Sequence, residues 1–84
     1  MIEQNEKQYS ERQLEVIKFT LLGLTRVQGA EKLEISEDTF NTHLKTIFLK
    51  AGVHSTGKLN SYLCAHGFAV NAEMTEVTYL GKLI

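Results

Sequence analysis

The sequence predicts an all-α domain of four helices with an apolar C-terminal tail. The chain has 84 residues, which suits one small domain, and it has no proline to interrupt a helix. Four segments each begin at a serine or threonine that can cap a helix, and apolar residues then recur at helical spacing. We expect a flexible N-terminus over residues 1–9, a folded domain over 10–67, and a tail over 68–84 that packs on the domain or on a partner.

Composition restricts the class of protein. No apolar run is long enough to span a membrane, and the polar N-terminus lacks the apolar core of a signal peptide. The single cysteine excludes an internal disulfide and fits a reducing cytoplasm. Because the net charge is −1, any affinity for nucleic acid must come from a few locally placed cations.

The first two helices have clear ends in the sequence. Helix 1 is expected over about residues 11–22, between a cap at Ser10 and a terminating Gly23. Helix 2 is short and is expected over residues 26–33, after a cap at Thr25.

Helix 3 is expected over about residues 36–51, after a turn at residues 34–35. One face of this helix is apolar, and the opposite face carries small polar groups with one lysine. The apolar face holds Phe40, Leu44, Ile47 and Ala51, and the opposite face holds Asp38, Asn41, Thr42, Lys45 and Leu49. A short helix, a tight turn and a second helix of this pattern are typical of a helix-turn-helix, whose second helix enters a groove of DNA.

Helix 4 is expected to start after a cap at Ser55 and to stop at Gly67. Its face of small residues, Gly57, Ser61 and Cys64, would let two helices approach closely. This face is either an isologous dimer contact or simply a short polar surface. The tail after helix 4 is too apolar to be solvated, and a strand, a short helix and an extended cover all remain open.

Three side chains on the polar face of helix 3 have base-reading chemistry. Asn41 can pair with adenine N6 and N7, Thr42 can contact a thymine methyl or a phosphate, and Lys45 can reach guanine or a phosphate. Each is also compatible with an ordinary exposed position. Glu37 and Asp38 oppose this function because carboxylates repel phosphate, although in the first turn they also suit the helix dipole.

No enzyme class finds support in the sequence. It has no nucleophile–base set, phosphate loop or paired carboxylate motif. Its three histidines, His43, His54 and His66, share no helical spacing, and there is one cysteine. We therefore expect neither a metal nor another cofactor.

A set of residue types at fixed spacing extends over about residues 9–60. Its members are Arg12, Glu15, Val16, Gly23, Leu24, Ala30, Leu33, Ile35, Ser36, Thr39, His43, Ile47, Lys50, Gly52 and Val53. This set resembles the LuxR/GerE-type helix-turn-helix domain of bacterial transcription regulators. Such a spread of matches is a more specific signal than one short motif.

The resemblance implies a four-helix domain that binds double-stranded DNA through helix 3 and forms a homodimer through helix 4. It implies base reading by Asn41, Thr42 and Lys45, and a dimer interface at Gly57, Ser61 and Cys64. It implies phosphate contacts from helix 3 and its flanks and from the starts of helices 2 and 4, here Thr25, Arg26, Ser36, His43, Lys50, Thr56 and Lys58.

The sequence departs from the family pattern at four positions. Asn41 and Thr56 stand where lysine and arginine are usual, so the expected DNA face has lost two cations. Gly29 replaces a large aliphatic residue, and Gln13 replaces a glutamate. These changes bear on affinity for DNA more than on the fold, because affinity depends directly on the number of neutralised phosphates.

The leading prediction is a sequence-specific, homodimeric, DNA-binding transcription regulator. The alternative is an interaction module that pairs with another regulatory protein, for example through the apolar tail, and inhibits it without binding DNA strongly. The near-neutral charge and the residues at positions 41 and 56 favour the alternative. In this family the domain often ends a longer chain with a sensor domain. These residues are therefore expected to be either a stand-alone domain, which the initial Met1 favours, or a fragment of such a chain.

Overall fold

The computed structural model describes residues 9–84, which form four helices followed by a small sheet. The helices are α1 (Glu11–Leu21), α2 (Arg26–Leu33), α3 (Glu37–Ala51) and α4 (Thr56–Ala65). The strands are β1 (Phe68–Val70), β2 (Val77–Tyr79) and β3 (Lys82–Leu83). Residues 1–8, which make up most of the segment expected to be flexible, lie outside the described part.

Side chains cap the start of each helix, as the sequence predicts. Ser10 and Thr25 complete capping boxes before α1 and α2. In each box the glutamine three residues on donates its backbone N–H to the cap hydroxyl at 3.1 Å, and its side chain accepts from the cap N–H. Ser36 and Ser55 cap α3 and α4 in the same way, without the reciprocal side-chain bond. These local bonds satisfy N–H groups that have no partner within the helix, and so they fix where each helix begins.

Residues 68–84 form a three-stranded antiparallel sheet, so the prediction of an all-α fold is incomplete. The register of β1 and β2 places Phe68 opposite Tyr79. Between β2 and β3, Leu80 and Gly81 have positive φ values of 53° and 85°, which suit a two-residue hairpin turn. Aromatic and β-branched residues favour strands here, but the runs are too short for sequence periodicity to identify them.

The helices and the sheet share one core. Its most deeply buried large side chains are Val16, Ile17, Phe40, Ile47, Leu59, Leu63 and Val77. The tail contributes to this core, because Phe68 is buried as well and Ile84 packs at the core edge. Ile84 also borders a shallow depression with Leu14 of α1. Burial within the same chain therefore accounts for part of the apolar character of the tail, at Phe68, Val77 and Ile84.

An aromatic cluster joins the start of the described chain to the sheet. Tyr9 contacts Phe68 and Tyr79 edge-to-face, with ring centroids 5.8 and 6.1 Å apart, and Phe68 stacks on Tyr79 at 4.1 Å. Tyr9 is only 7% exposed, and this burial raises the pKa of its hydroxyl. Tyr9 therefore belongs to the core and not to a flexible segment over residues 1–9.

A tight contact between α2 and α3 occurs at Gly29. A Cβ at this position would lie 2.6 and 2.7 Å from two ring atoms of Phe40, which is itself buried. These distances are well inside van der Waals contact, so the Phe40 ring occupies the space that a side chain at position 29 would need. The Phe40 side chain of α3 thus fills the part of the core that a larger side chain at position 29 of α2 would otherwise fill.

Candidate nucleic-acid interface

Helices α2 and α3 form the predicted helix-turn-helix. Helix α2 ends at Leu33, and the next residue, Glu34, adopts the left-handed conformation with a φ of 59°. The Ile35 N–H then donates to the Ala30 carbonyl at 3.0 Å, and the Ile35 side chain packs against the core. Ser36, the next residue, is the N-cap of α3. The buried face of α3 comprises Phe40, Leu44 and Ile47.

The opposite face of α3 is open to solvent. Four polar side chains line one shallow depression there, together with Asp38 of the first turn: Arg26, Asn41, Thr42 and Lys45. Arg26, Thr42 and Lys45 are exposed, and Asn41 is half-buried. The structure therefore brings the three predicted base-reading residues together and adds Arg26 from α2.

A hydrogen bond that sequence reasoning missed joins the two helices at this depression. Arg26 Nη1 donates to Asn41 Oδ1 at 3.2 Å. From the sequence, Arg26 is predicted to contact a phosphate and Asn41 a base. No contact between the two side chains is predicted. The two residues are 15 positions apart, so periodicity within one helix carries no signal of their contact.

Thr42 uses its hydroxyl group within α3. Its Oγ1 donates to the backbone carbonyl of Asp38 at 3.0 Å, and Thr46 donates in the same way to the carbonyl of Thr42 at 3.2 Å. This bond leaves Thr42 with a methyl group and an acceptor oxygen for a ligand. Of its two predicted contacts, the geometry favours the thymine methyl over a hydroxyl donated to phosphate.

The predicted phosphate contacts outside the depression are spread over three helix starts and one helix face. Thr25 and Ser36 accept helix-capping bonds through their hydroxyl oxygens. Thr56 and Lys58 are exposed in the first turn of α4, and His43 is half-buried on α3. The structure does not gather these residues in the depression that holds Asn41 and Lys45.

Lys50, a further predicted phosphate contact, interacts with the N-terminal part of the domain. Its Nζ donates to Gln13 Oε1 at 3.3 Å and lies 5.2 Å from the centroid of the Tyr9 ring. The hydrogen bond and the cation–π contact both favour this position. A phosphate contact by Lys50 would therefore compete with its contacts to Gln13 and Tyr9.

Acidic groups border the N-terminal end of this face. Glu37 and Asp38 occupy the first turn of α3, where negative charge is favourable at the positive end of the helix dipole. Asp38 also lines the depression with Arg26 and Lys45. Both carboxylates are exposed, so they repel phosphate from this end without excluding it from the centre of the face.

An apolar patch borders the same face at its C-terminal end. Leu49 is 82% exposed and lines a second depression with the half-buried Phe48 and Val53. Lys45 lies at the edge of both depressions. The sequence places Leu49 on the polar side of α3 but assigns it no function.

The predicted dimer residues are accessible on α4. Gly57, Ser61 and Cys64 are all exposed, whereas Leu59 and Leu63 of the same helix are buried in the core. The helix thus presents a stripe of small side chains to solvent. Small side chains let a second helix approach closely.

Neither a metal-ligand cluster nor a membrane-spanning helix is found in residues 9–84. This part of the chain contains no group of three or more His, Cys, Asp and Glu side chains arranged to hold a metal ion. Among its helices, none combines the length and the apolar character needed to cross a bilayer.

The packed helix pair and the polar outer face of α3 define a helix-turn-helix domain of the kind that binds DNA. The profile of GerE, the bacterial regulatory proteins of the luxR family, matches residues 7–63. Because this match covers more than half of the chain, the protein belongs to the luxR family of bacterial regulatory proteins. The domains of this family are DNA-binding regulators of transcription and not enzymes. Comparison with curated proteins and with solved structures gave no significant match.

Proposed function

We propose that the protein is a sequence-specific transcription regulator that binds DNA as a homodimer in the bacterial cytoplasm. The main support is the set of polar side chains that line the depression on the outer face of α3, namely Arg26 of α2 and Asn41, Thr42 and Lys45 of α3. The other face of the same helix is fixed in the core. A helix supported on one side can place hydrogen-bonding groups in the major groove without losing its own packing.

The proposed contacts divide into two kinds. Asn41, Thr42 and Lys45 read base edges from the middle of α3. Phosphate contacts set the register on the duplex and come from Thr25, Arg26, Ser36, His43, Lys50, Thr56 and Lys58. Since the chain has a net charge of −1, the few cations among these residues, Arg26, Lys50 and Lys58, supply with Lys45 the electrostatic attraction that the whole protein lacks.

A titration against random-sequence duplex DNA tests this function. We expect binding at low salt that weakens as salt rises, with a log–log slope of about −0.9 for each neutralised phosphate. Fluorescence anisotropy of labelled DNA at two or more salt concentrations measures both quantities. If micromolar protein shows no salt-dependent binding, the proposal is wrong.

The homodimer is proposed to form through Gly57, Ser61 and Cys64 of α4. Ser61→Arg is expected to weaken self-association at least about tenfold, because it places a large charged group where two helices must meet. Ala72→Arg is the matched control, since it adds the same charge at an exposed position outside the helices. Analytical ultracentrifugation compares the two variants with the wild type. Equal association of both variants, or a wild type that stays monomeric at high concentration, would exclude this interface.

A second function, the interaction module, is favoured by one group of side chains. Met74, Leu80 and Leu83 of the tail are 52%, 70% and 64% exposed, which is unusual for large apolar residues on one small element. In this alternative the tail contacts another regulatory protein and inhibits it. The alternative requires that the wild type fails to bind DNA but lowers the DNA binding of another luxR-family regulator, and that Leu80→Ser relieves this inhibition.

A further inference from the structure

An interhelix hydrogen bond lies within the surface that is proposed to face DNA. Arg26, the first residue of α2, donates from Nη1 to Oδ1 of Asn41 on α3 at 3.2 Å. Both side chains line the depression that also contains Thr42 and Lys45. The bond therefore joins Arg26, a proposed phosphate contact, to Asn41, a proposed base contact.

The chemistry of this bond determines which way the Asn41 amide faces. A guanidinium group carries only donors, so the Asn41 atom that it approaches must be the carbonyl oxygen. The two orientations of an asparagine amide are often interchangeable, but here only one of them forms the bond. The Nδ2 amino group consequently lies on the other side of the amide from Arg26.

This orientation changes the base edge that Asn41 suits best. An unconstrained asparagine pairs with adenine by accepting from N6 and donating to N7. When Oδ1 is bonded to Arg26, the positive guanidinium beside it disfavours a second donor such as adenine N6. The Nδ2 group remains as a donor, and guanine offers it two adjacent acceptors, N7 and O6.

We propose that Arg26 is a positioning residue that holds Asn41 as a hydrogen-bond donor and so makes Asn41 select guanine over adenine. The inference rests on the proposed DNA binding through α3. It assigns Arg26 a function in base selection that a backbone phosphate contact would not have.

Selection of bound sequences from a randomised duplex pool tests this assignment. The position read by Asn41 is identified as the one whose base preference disappears in Asn41→Ala. At that position the wild type is expected to prefer guanine, and Arg26→Ala is expected to shift the guanine-to-adenine ratio toward adenine by about tenfold, the order expected for one base contact. Lys58→Ala is the matched control, because it removes an exposed cation at the start of α4. This control should weaken binding without changing the preferred base.

A measurement without DNA separates failure of this inference from failure of DNA binding. The side-chain amide resonances of Asn41 in a ¹H–¹⁵N NMR spectrum should shift in Arg26→Ala, while those of Asn60 and Asn71 should not. An unshifted Asn41 amide shows that the bond is absent in solution and overturns the inference. Uniformly weaker binding with an unchanged base preference in Arg26→Ala also overturns it and leaves the proposed function intact. A wild type that binds no DNA overturns both.

Discussion

Lys45→Ala is expected to weaken binding to duplex DNA by about tenfold to a hundredfold, since one good base contact contributes about 1–3 kcal/mol. Lys45 lies in the middle of the outer face of α3, is exposed, and borders both depressions on that face. The chain has no large excess of positive charge that could compensate for its loss. Anisotropy titrations of the wild type and the variant at one fixed salt concentration measure the change.

The salt dependence of the same variant separates two functions of Lys45. If the ammonium group contacts phosphate, the log–log slope should fall in magnitude by about 0.9, whereas a contact to guanine should leave the slope nearly unchanged. Lys32→Ala is the matched control, because Lys32 is an exposed helix lysine in α2 outside the depression. Equal losses of affinity in the two variants would show that only net charge matters and that Lys45 has no special position.

Gly29→Ala is expected to lower the free energy of unfolding by about 1–2 kcal/mol, although alanine normally stabilises a helix relative to glycine by about 1 kcal/mol. The reason is the 2.6 Å separation between the added Cβ and the Phe40 ring, which is buried and has little space into which to move. Thermal or chemical unfolding followed by circular dichroism gives the difference.

Two further variants show whether the Phe40 ring causes this effect. In a Phe40→Leu background the ring atoms nearest to position 29 are absent, so Gly29→Ala should become neutral or stabilising. Gly57→Ala in α4 is the control for helix propensity, since nothing lies within 4 Å of its added Cβ. It should be neutral or stabilising when measured at a concentration where the chain is monomeric. A wild-type chain that is stabilised by Gly29→Ala would contradict the close packing of α2 and α3.

The starts of all four helices could be predicted because the signals are local. A cap hydroxyl bonds to a backbone group three residues ahead, as at Ser10, Thr25, Ser36 and Ser55, so the neighbouring sequence contains both partners. The buried stripe of α3 is equally local, because side chains three and four residues apart share one face of a helix. The outer face with Asn41, Thr42 and Lys45 follows from that stripe by exclusion. These features, together with the family pattern, could be predicted from the sequence alone.

The tertiary structure alone decided the features that depend on residues far apart in the chain. The strands of the tail are two or three residues long, so their identity came from pairing across the sheet and from burial of Phe68 and Val77. Tyr9 joined the core because those strands supply its aromatic partners. In the same way, Phe40 accounts for the glycine in α2, and Arg26 determines the orientation of Asn41. Sequence periodicity describes each element by itself, whereas packing density and hydrogen-bond geometry between elements decide how their side chains meet.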